Sequence, residues 1–191
     1  MVIFRRLLVS LCLFSICFAQ EPAPKMPPPR KCPDVPIVTS DGKTIHVSEY
    51  HDKVVMILVF STVCGHCLET LQFMARLENE MAARGLQVVA ISIDDTEAPV
   101  RPFAERYRFP FPVGYLTPAP ALQLLNMQKG GRPLVPILIF VDWMGNVRFQ
   151  YKGSDSVFKG EKDIRGIVTG LLRQAAEKKG PTYQTKPAGK P

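Results

Sequence analysis

The chain has 191 residues, 46% hydrophobic and 21% charged, enough for one domain with a substantial core and unlike a disordered or collagen-like polymer. Much of its net charge of +7 comes from a tail with Lys178, Lys179, Lys186 and Lys190 and no interleaved aromatic residues beyond Tyr183. That is the pattern of a solvated surface, and no nucleic-acid partner is expected.

Residues 1–19 read as an export signal. Arg5-Arg6 supplies the positive start, Leu7 to Phe18 the apolar stretch, and Cys17-Phe18-Ala19 the small-x-small end. The apolar stretch falls short of the ~20 residues that cross a bilayer. Retained as an uncleaved anchor, it would be the chain's one attachment to a membrane. Export leads to an oxidising compartment, where disulfides persist. Cys12 and Cys17 leave with the signal; Cys32, Cys64 and Cys67 remain.

Residues 20–32 form a linker in which Pro22, Pro24, Pro27, Pro28 and Pro29 favour extended geometry. A domain follows over 33–178, with a flexible basic tail over 179–191. Ser40-Asp41-Gly42-Lys43 is a turn between short strands at Ile37-Val38 and Ile45-His46-Val47. Ser48 suits the cap of one helical turn. Val54 to Phe60 is a continuous apolar run, the pattern of a strand covered on both faces. A helix is expected over Cys64–Arg84, with Leu68, Leu71, Ala75 and Ala82 on one stripe, Phe73, Leu77 and Met81 widening it, and Gly85 as C-cap. Gln87 to Ile93 is a second buried strand, broken by Asp94-Asp95-Thr96. A helix to about Tyr107 begins at Pro99 or Pro102. Phe109 to Pro112 is extended and irregular, and a short helix over Ala119–Met127 ends at Gly130-Gly131. Pro136 to Val141 is a third apolar strand, turned by Asp142-Trp143-Met144-Gly145-Asn146 into Val147–Tyr151. A last helix over 162–178 buries Ile164, Ile167, Val168, Leu171, Leu172 and Ala175. This order predicts an α/β fold: a central mixed β-sheet flanked by helices, an N-terminal β-hairpin extension and an inserted helical segment.

The chemistry is concentrated in Cys64-Gly65-His66-Cys67, between the first buried strand and the long helix. Cysteines at i and i+3 on a first helical turn share a face and can reach disulfide distance. The unpaired N–H groups and partial positive charge of a helix N-terminus favour the thiolate that attacks a disulfide. Cys64 is therefore expected to be the exposed nucleophile and Cys67 the buried resolving thiol. Gly65 and His66 lie between them, where the thiolate is tuned. An imidazole that stabilises it makes the couple more oxidising; otherwise His66 is an exposed histidine without a role. Cys32, at the domain edge, is read as an incidental surface thiol, a dimer crosslink or a third redox partner.

These residues resemble the thioredoxin superfamily, and within it the exported TlpA/ResA-like branch. The likeness covers about residues 33–176. It rests on Phe60-Ser61-Thr62-Val63 before the cysteine pair, on Val135-Pro136 before an apolar strand, and on Asp142 to Asn146 after it. It implies a thioredoxin-like fold, protein thiols and disulfides as substrates, a membrane thiol as electron donor, and cytochrome c maturation as one destination. It also implies that Pro136 is a cis-proline facing the disulfide, with the Val135 backbone pairing with an extended substrate; alternatively Pro136 only begins an edge strand, and Pro133 competes for the role. The chain departs from the pattern in three places. Val63 stands where a tryptophan is usual, and Leu58 where thioredoxins keep a buried acid. Asp94 or Asp95 could replace that acid, or serve only as turn residues. Histidine before the second cysteine resembles protein disulfide isomerases and leaves the redox direction open. No cofactor is expected. Two other readings stay open: a peroxiredoxin-like thiol peroxidase, for which the usual upstream proline is absent (Ile57 is there), and a metal-binding or redox-inactive binding module, for which His46, His51 and Cys32 are scattered around only one cysteine pair.

Overall fold

The computed structural model describes residues 28–94 and 96–179; the stretch read as an export signal, that read as a linker up to residue 27, Asp95 and residues 180–191 lie outside the described residues. The strands are β1 (Arg30–Lys31), β2 (Ile37–Thr39), β3 (Thr44–Ile45), β4 (Val54–Phe60), β5 (Leu86–Ser92), β6 (Val113–Tyr115), β7 (Ile137–Val141) and β8 (Asn146–Lys152). The helices are α1 (Gly65–Met81), α2 (Val100–Tyr107), α3 (Pro118–Leu124) and α4 (Glu161–Lys179).

Among the described residues the strands form one sheet in the order β1-β8-β7-β4-β5-β6-β2-β3. β4 is central. It pairs parallel with β5, Val54 opposite Leu86 through Phe60 opposite Ser92, and antiparallel with β7. Successive strand residues point to opposite faces, and here both faces are covered. Val54, Met56, Leu58 and Phe60 enter a core with Leu71, Met74 and Leu77 of α1 and Val168 and Leu171 of α4. Val55, Ile57 and Val59 enter a second core with Ile37, Val47 and Ala121 and Leu124 of α3. A continuous apolar run, rather than an alternating one, is what a two-sided burial requires. The expected mixed sheet with helices on both faces is what the chain adopts, and the β2–β3 hairpin extends it by pairing β2 with β6.

Several boundaries differ from the sequence expectation. Arg30–Lys31 pairs with Val147 and Asn146, so the sheet begins inside the stretch read as linker. The pairing is reinforced by Arg30, whose Nη2 donates to Leu124 O at 3.0 Å and to Gln150 Oε1 at 2.7 Å. Gln150 Nε2 donates to Leu125 O at 3.0 Å, so the two side chains take up carbonyls at the end of α3. The helical turn over Val47–Tyr50 is capped at His46, not Ser48: Glu49 reaches back to accept from His46 N at 2.8 Å. α1 ends at Met81 and a tight turn carries the chain to Gly85, whose φ of 98° suits glycine. That tightening turns Ala82 out to solvent, while Met74 and Glu78 are buried. The extended Phe109–Pro112 segment delivers an unforeseen strand, β6. α3 starts a residue early, at Pro118 behind Thr117, and stops at Leu124, before Asn126 takes a positive φ.

Candidate active site

β4 ends at Phe60, and the chain turns through Ser61-Thr62-Val63 into α1. Cys64 N donates to Ser61 O at 3.1 Å, closing the turn. Cys64 is the N-cap of α1 in extended geometry, and its Sγ accepts from Cys67 N at 3.2 Å. A sulfur thus occupies the place where Ser or Asp oxygens cap helices. Cys64 and Cys67 are joined as a disulfide across a Cα–Cα distance of 5.2 Å. Cys67 is fully buried in the α1-side core; Cys64 is half-buried and packs against the same core from the mouth.

Gly65 and His66 are exposed. His66 Nδ1 lies 3.5 Å from a Glu69 carboxylate oxygen, one turn along the helix. The Val135–Pro136 peptide bond is cis, and Pro136 is buried immediately before β7. A cleft of about 440 Å³ brings His66, Glu69, Val135 and Pro136 together with Asp155 and Phe158 from the segment between β8 and α4. Val63 and Leu134, 91% and 83% exposed, are apolar side chains beside the cysteine pair and the Val135–Pro136 bond in sequence. Gly153 is the reason β8 can close on Pro136: a Cβ there would stand 2.8 Å from Pro136 Cδ. The sequence marks Ser61 only as part of the segment before the cysteines and assigns no role to Glu69, Leu134 or Gly153, of which Glu69 stands three residues after His66.

Asp94 follows β5. Its carboxylate accepts from Ser61 Oγ at 2.5 Å, from Thr62 N at 3.0 Å and from Ser92 Oγ at 2.9 Å. Partial burial works against its charge, but these bonds outweigh it and hold the carboxyl below the usual carboxylate range. Asp95, the alternative acid, lies outside the described residues.

Cys32 corrects one expectation. It is buried in the α3-side core, on the opposite face of the sheet from Cys67, and burial pushes its thiol up to about 11. It is neither a surface thiol nor placed for a crosslink or for a third redox role. Its backbone N donates to Gly145 O at 2.9 Å, continuing the docking of β1. Among the described residues no three His, Cys, Asp or Glu side chains converge as metal ligands, and His46 faces Asp34 at 3.3 Å instead.

Known proteins align with this arrangement. A thiol-disulfide oxidoreductase ResA of Bacillus cereus is 23% identical over 84% of this chain and 88% of its own length. A thiol:disulfide interchange protein of the thioredoxin family from Chlorobium tepidum superposes with a TM-score of 0.65 at 24% identity, covering 76% of this chain and 98% of that one. The thioredoxin domain of a thiol-disulfide oxidoreductase from Bacteroides vulgatus superposes with a TM-score of 0.59 at 15% identity, over 74% and 95%. These superpositions establish a thioredoxin-like fold. The AhpC/TSA family profile matches residues 28–149, well over half of the sequence, and the chain belongs to that family.

Proposed function

We propose that the chain is an exported thiol-disulfide oxidoreductase that passes two electrons between Cys64/Cys67 and protein substrates. The observation that carries this reading is the closed Cys64–Cys67 disulfide at the mouth of α1, with one sulfur reachable and the other enclosed. In the reducing direction, the Cys64 thiolate attacks a substrate disulfide and one substrate thiolate leaves. Cys67 then loses its proton, attacks Cys64 Sγ, and the second substrate thiolate leaves. The substrate has gained two electrons and the enzyme holds the disulfide. An external thiol donor, by the family likeness a membrane relay, restores the dithiol; in an oxidising role the same steps run backwards.

Val135 and Pro136 border the cleft in which an extended substrate would lie, and the Val135 backbone offers it strand-like hydrogen bonds. Export rests on residues 1–19, with the proline-rich stretch after them as spacer. None of the described helices is long and apolar enough to cross a membrane.

The test is dithiol exchange with a protein disulfide. Cys64→Ser should abolish it, and Cys67→Ser should accumulate mixed disulfides visible on non-reducing gels. Equal loss without trapping removes the assigned roles. Rapid peroxide consumption by Cys67→Ser would favour a thiol peroxidase instead.

A further inference from the structure

Among the described residues, Asp94 is the acid whose side chain bonds directly to the segment preceding Cys64. The pairing of β4 with β5 ends at Phe60 opposite Ser92, followed by one more bond from Ile93 N to Phe60 O at 3.0 Å. Beyond it the two chains diverge, and a side chain takes over. Asp94 accepts from the Ser61 hydroxyl and the Thr62 amide, across more than thirty residues of sequence. Its own N donates to Ser92 Oγ at 3.2 Å, and the same hydroxyl, fully buried, donates back to the carboxylate at 2.9 Å. Ser61 in turn holds Cys64, through the bond from Cys64 N to Ser61 O. A continuous set of hydrogen bonds therefore runs from the end of β5 to the backbone of the attacking cysteine.

We propose that Asp94 is a positioning residue that works through Ser61, fixing Cys64 at the α1 N-cap. This deepens the proposed function and rests on it. The alternative role, accepting a proton from a cysteine, fits the geometry less well. All of Asp94's hydrogen bonds favour the ionised carboxylate, none goes to a sulfur, and a base matched to neutral pH needs a carboxyl raised in pKa, whereas this one is lowered. Cys64 gains its thiolate stabilisation from the geometry of the cap, where its sulfur meets Cys67 N. Loosening the turn should degrade that geometry without removing any group that touches the substrate.

The test compares Ser61→Ala, Asp94→Asn and their double variant in the full chain, with Ser61→Thr as the conservative control that keeps the hydroxyl. Three quantities are read: kcat/KM for exchange with a protein disulfide, the pH midpoint of Cys64 alkylation in the reduced protein, and the melting temperature. Each single variant should lose roughly 10- to 100-fold in exchange rate. The double variant should lose no more than the worse single one, because both break the same connection. In Ser61→Ala, which changes no charge, the alkylation midpoint should rise, and Ser61→Thr should restore it. Wild-type behaviour of Ser61→Ala in both rate and midpoint would overturn the proposal. So would losses that multiply in the double variant. Should Asp94→Asn fail to fold, the Ser61 pair decides alone. An inactive wild type would refute the exchange function, while the alkylation midpoints would still judge the connection.

Discussion

His66 stands exposed at the helix mouth, its Nδ1 3.5 Å from a Glu69 carboxylate oxygen, on the rim of the cleft it shares with Val135 and Pro136. The proposed tuning role has the ring stabilise the Cys64 thiolate and thus the reduced form. His66→Pro should therefore make the couple more reducing, measured as its equilibrium with glutathione; an unchanged equilibrium would assign the ring no part in tuning. Glu78 is a different case, a buried carboxylate on α1 that accepts from Val88 N at 2.9 Å on β5. Desolvation raises its pKa above the ordinary value of 4.5, more than the Val88 bond and the Lys53 charge lower it. The folded protein then binds this proton more tightly than the unfolded chain. Its stability falls as pH rises from 4.5 through the folded-state pKa, and stays lower above it. Glu78→Gln keeps an acceptor for Val88 and removes the charge. Thermal melts should find the variant more stable than the parent at pH 7 and nearly equal at pH 4. A variant less stable at pH 7 would mean that the charge contributes through Lys53 instead.

Strand and helix ends, rather than their middles, place the chemistry. β4 delivers Cys64 and β5 delivers Asp94, while the segment entering β7 carries Val135 and Pro136. β8 ends against Pro136 because Gly153 has no side chain. Gly153→Ala would force a methyl group into the proline ring, an overpacking that costs about 1–3 kcal/mol. The expected result is a lower urea midpoint together with slower exchange on protein disulfides; normal values for both would show that the segment yields freely. The elements that could be read from the chain are those whose cause is local. The unbroken apolar run of Val54–Phe60 permits little besides a doubly covered strand, and Gly85 marks the end of the α1 segment. β6 is three residues between Pro112 and Leu116, too short for any periodicity. β1 is Arg-Lys, polar by composition, and exists because β8 offers it a partner.

Across the whole molecule, the sheet separates the three described cysteines. The reactive pair lies on the α1 side and Cys32 on the α3 side, so two thiol environments coexist in one domain. In the reduced protein at neutral pH, alkylating reagents should label Cys64 first and leave Cys32 untouched until denaturant is added. Mass spectrometry of the labelled sites measures this, and early labelling of Cys32 would show that the β1 region opens. The thiol pair was readable because its spacing and its position between strand and helix are contiguous in sequence. The burial of Cys32 was not, because it depends on β1 docking against residues more than a hundred positions away. The Asp94 connection was likewise hidden, since the acid was identifiable but its partner Ser61 was not. Leu58 carries a consequence of its own. Where a carboxylate would stand beside the inner sulfur, the strand offers only hydrocarbon, so Cys67 has no neighbour on β4 to take its proton. In the proposed exchange the proton of Cys67 therefore leaves to a group outside β4, with water at the mouth and the client's own thiolate as the acceptors at hand. A strand without a single ionisable side chain thus leaves the inner sulfur's discharge to whatever enters from outside the sheet.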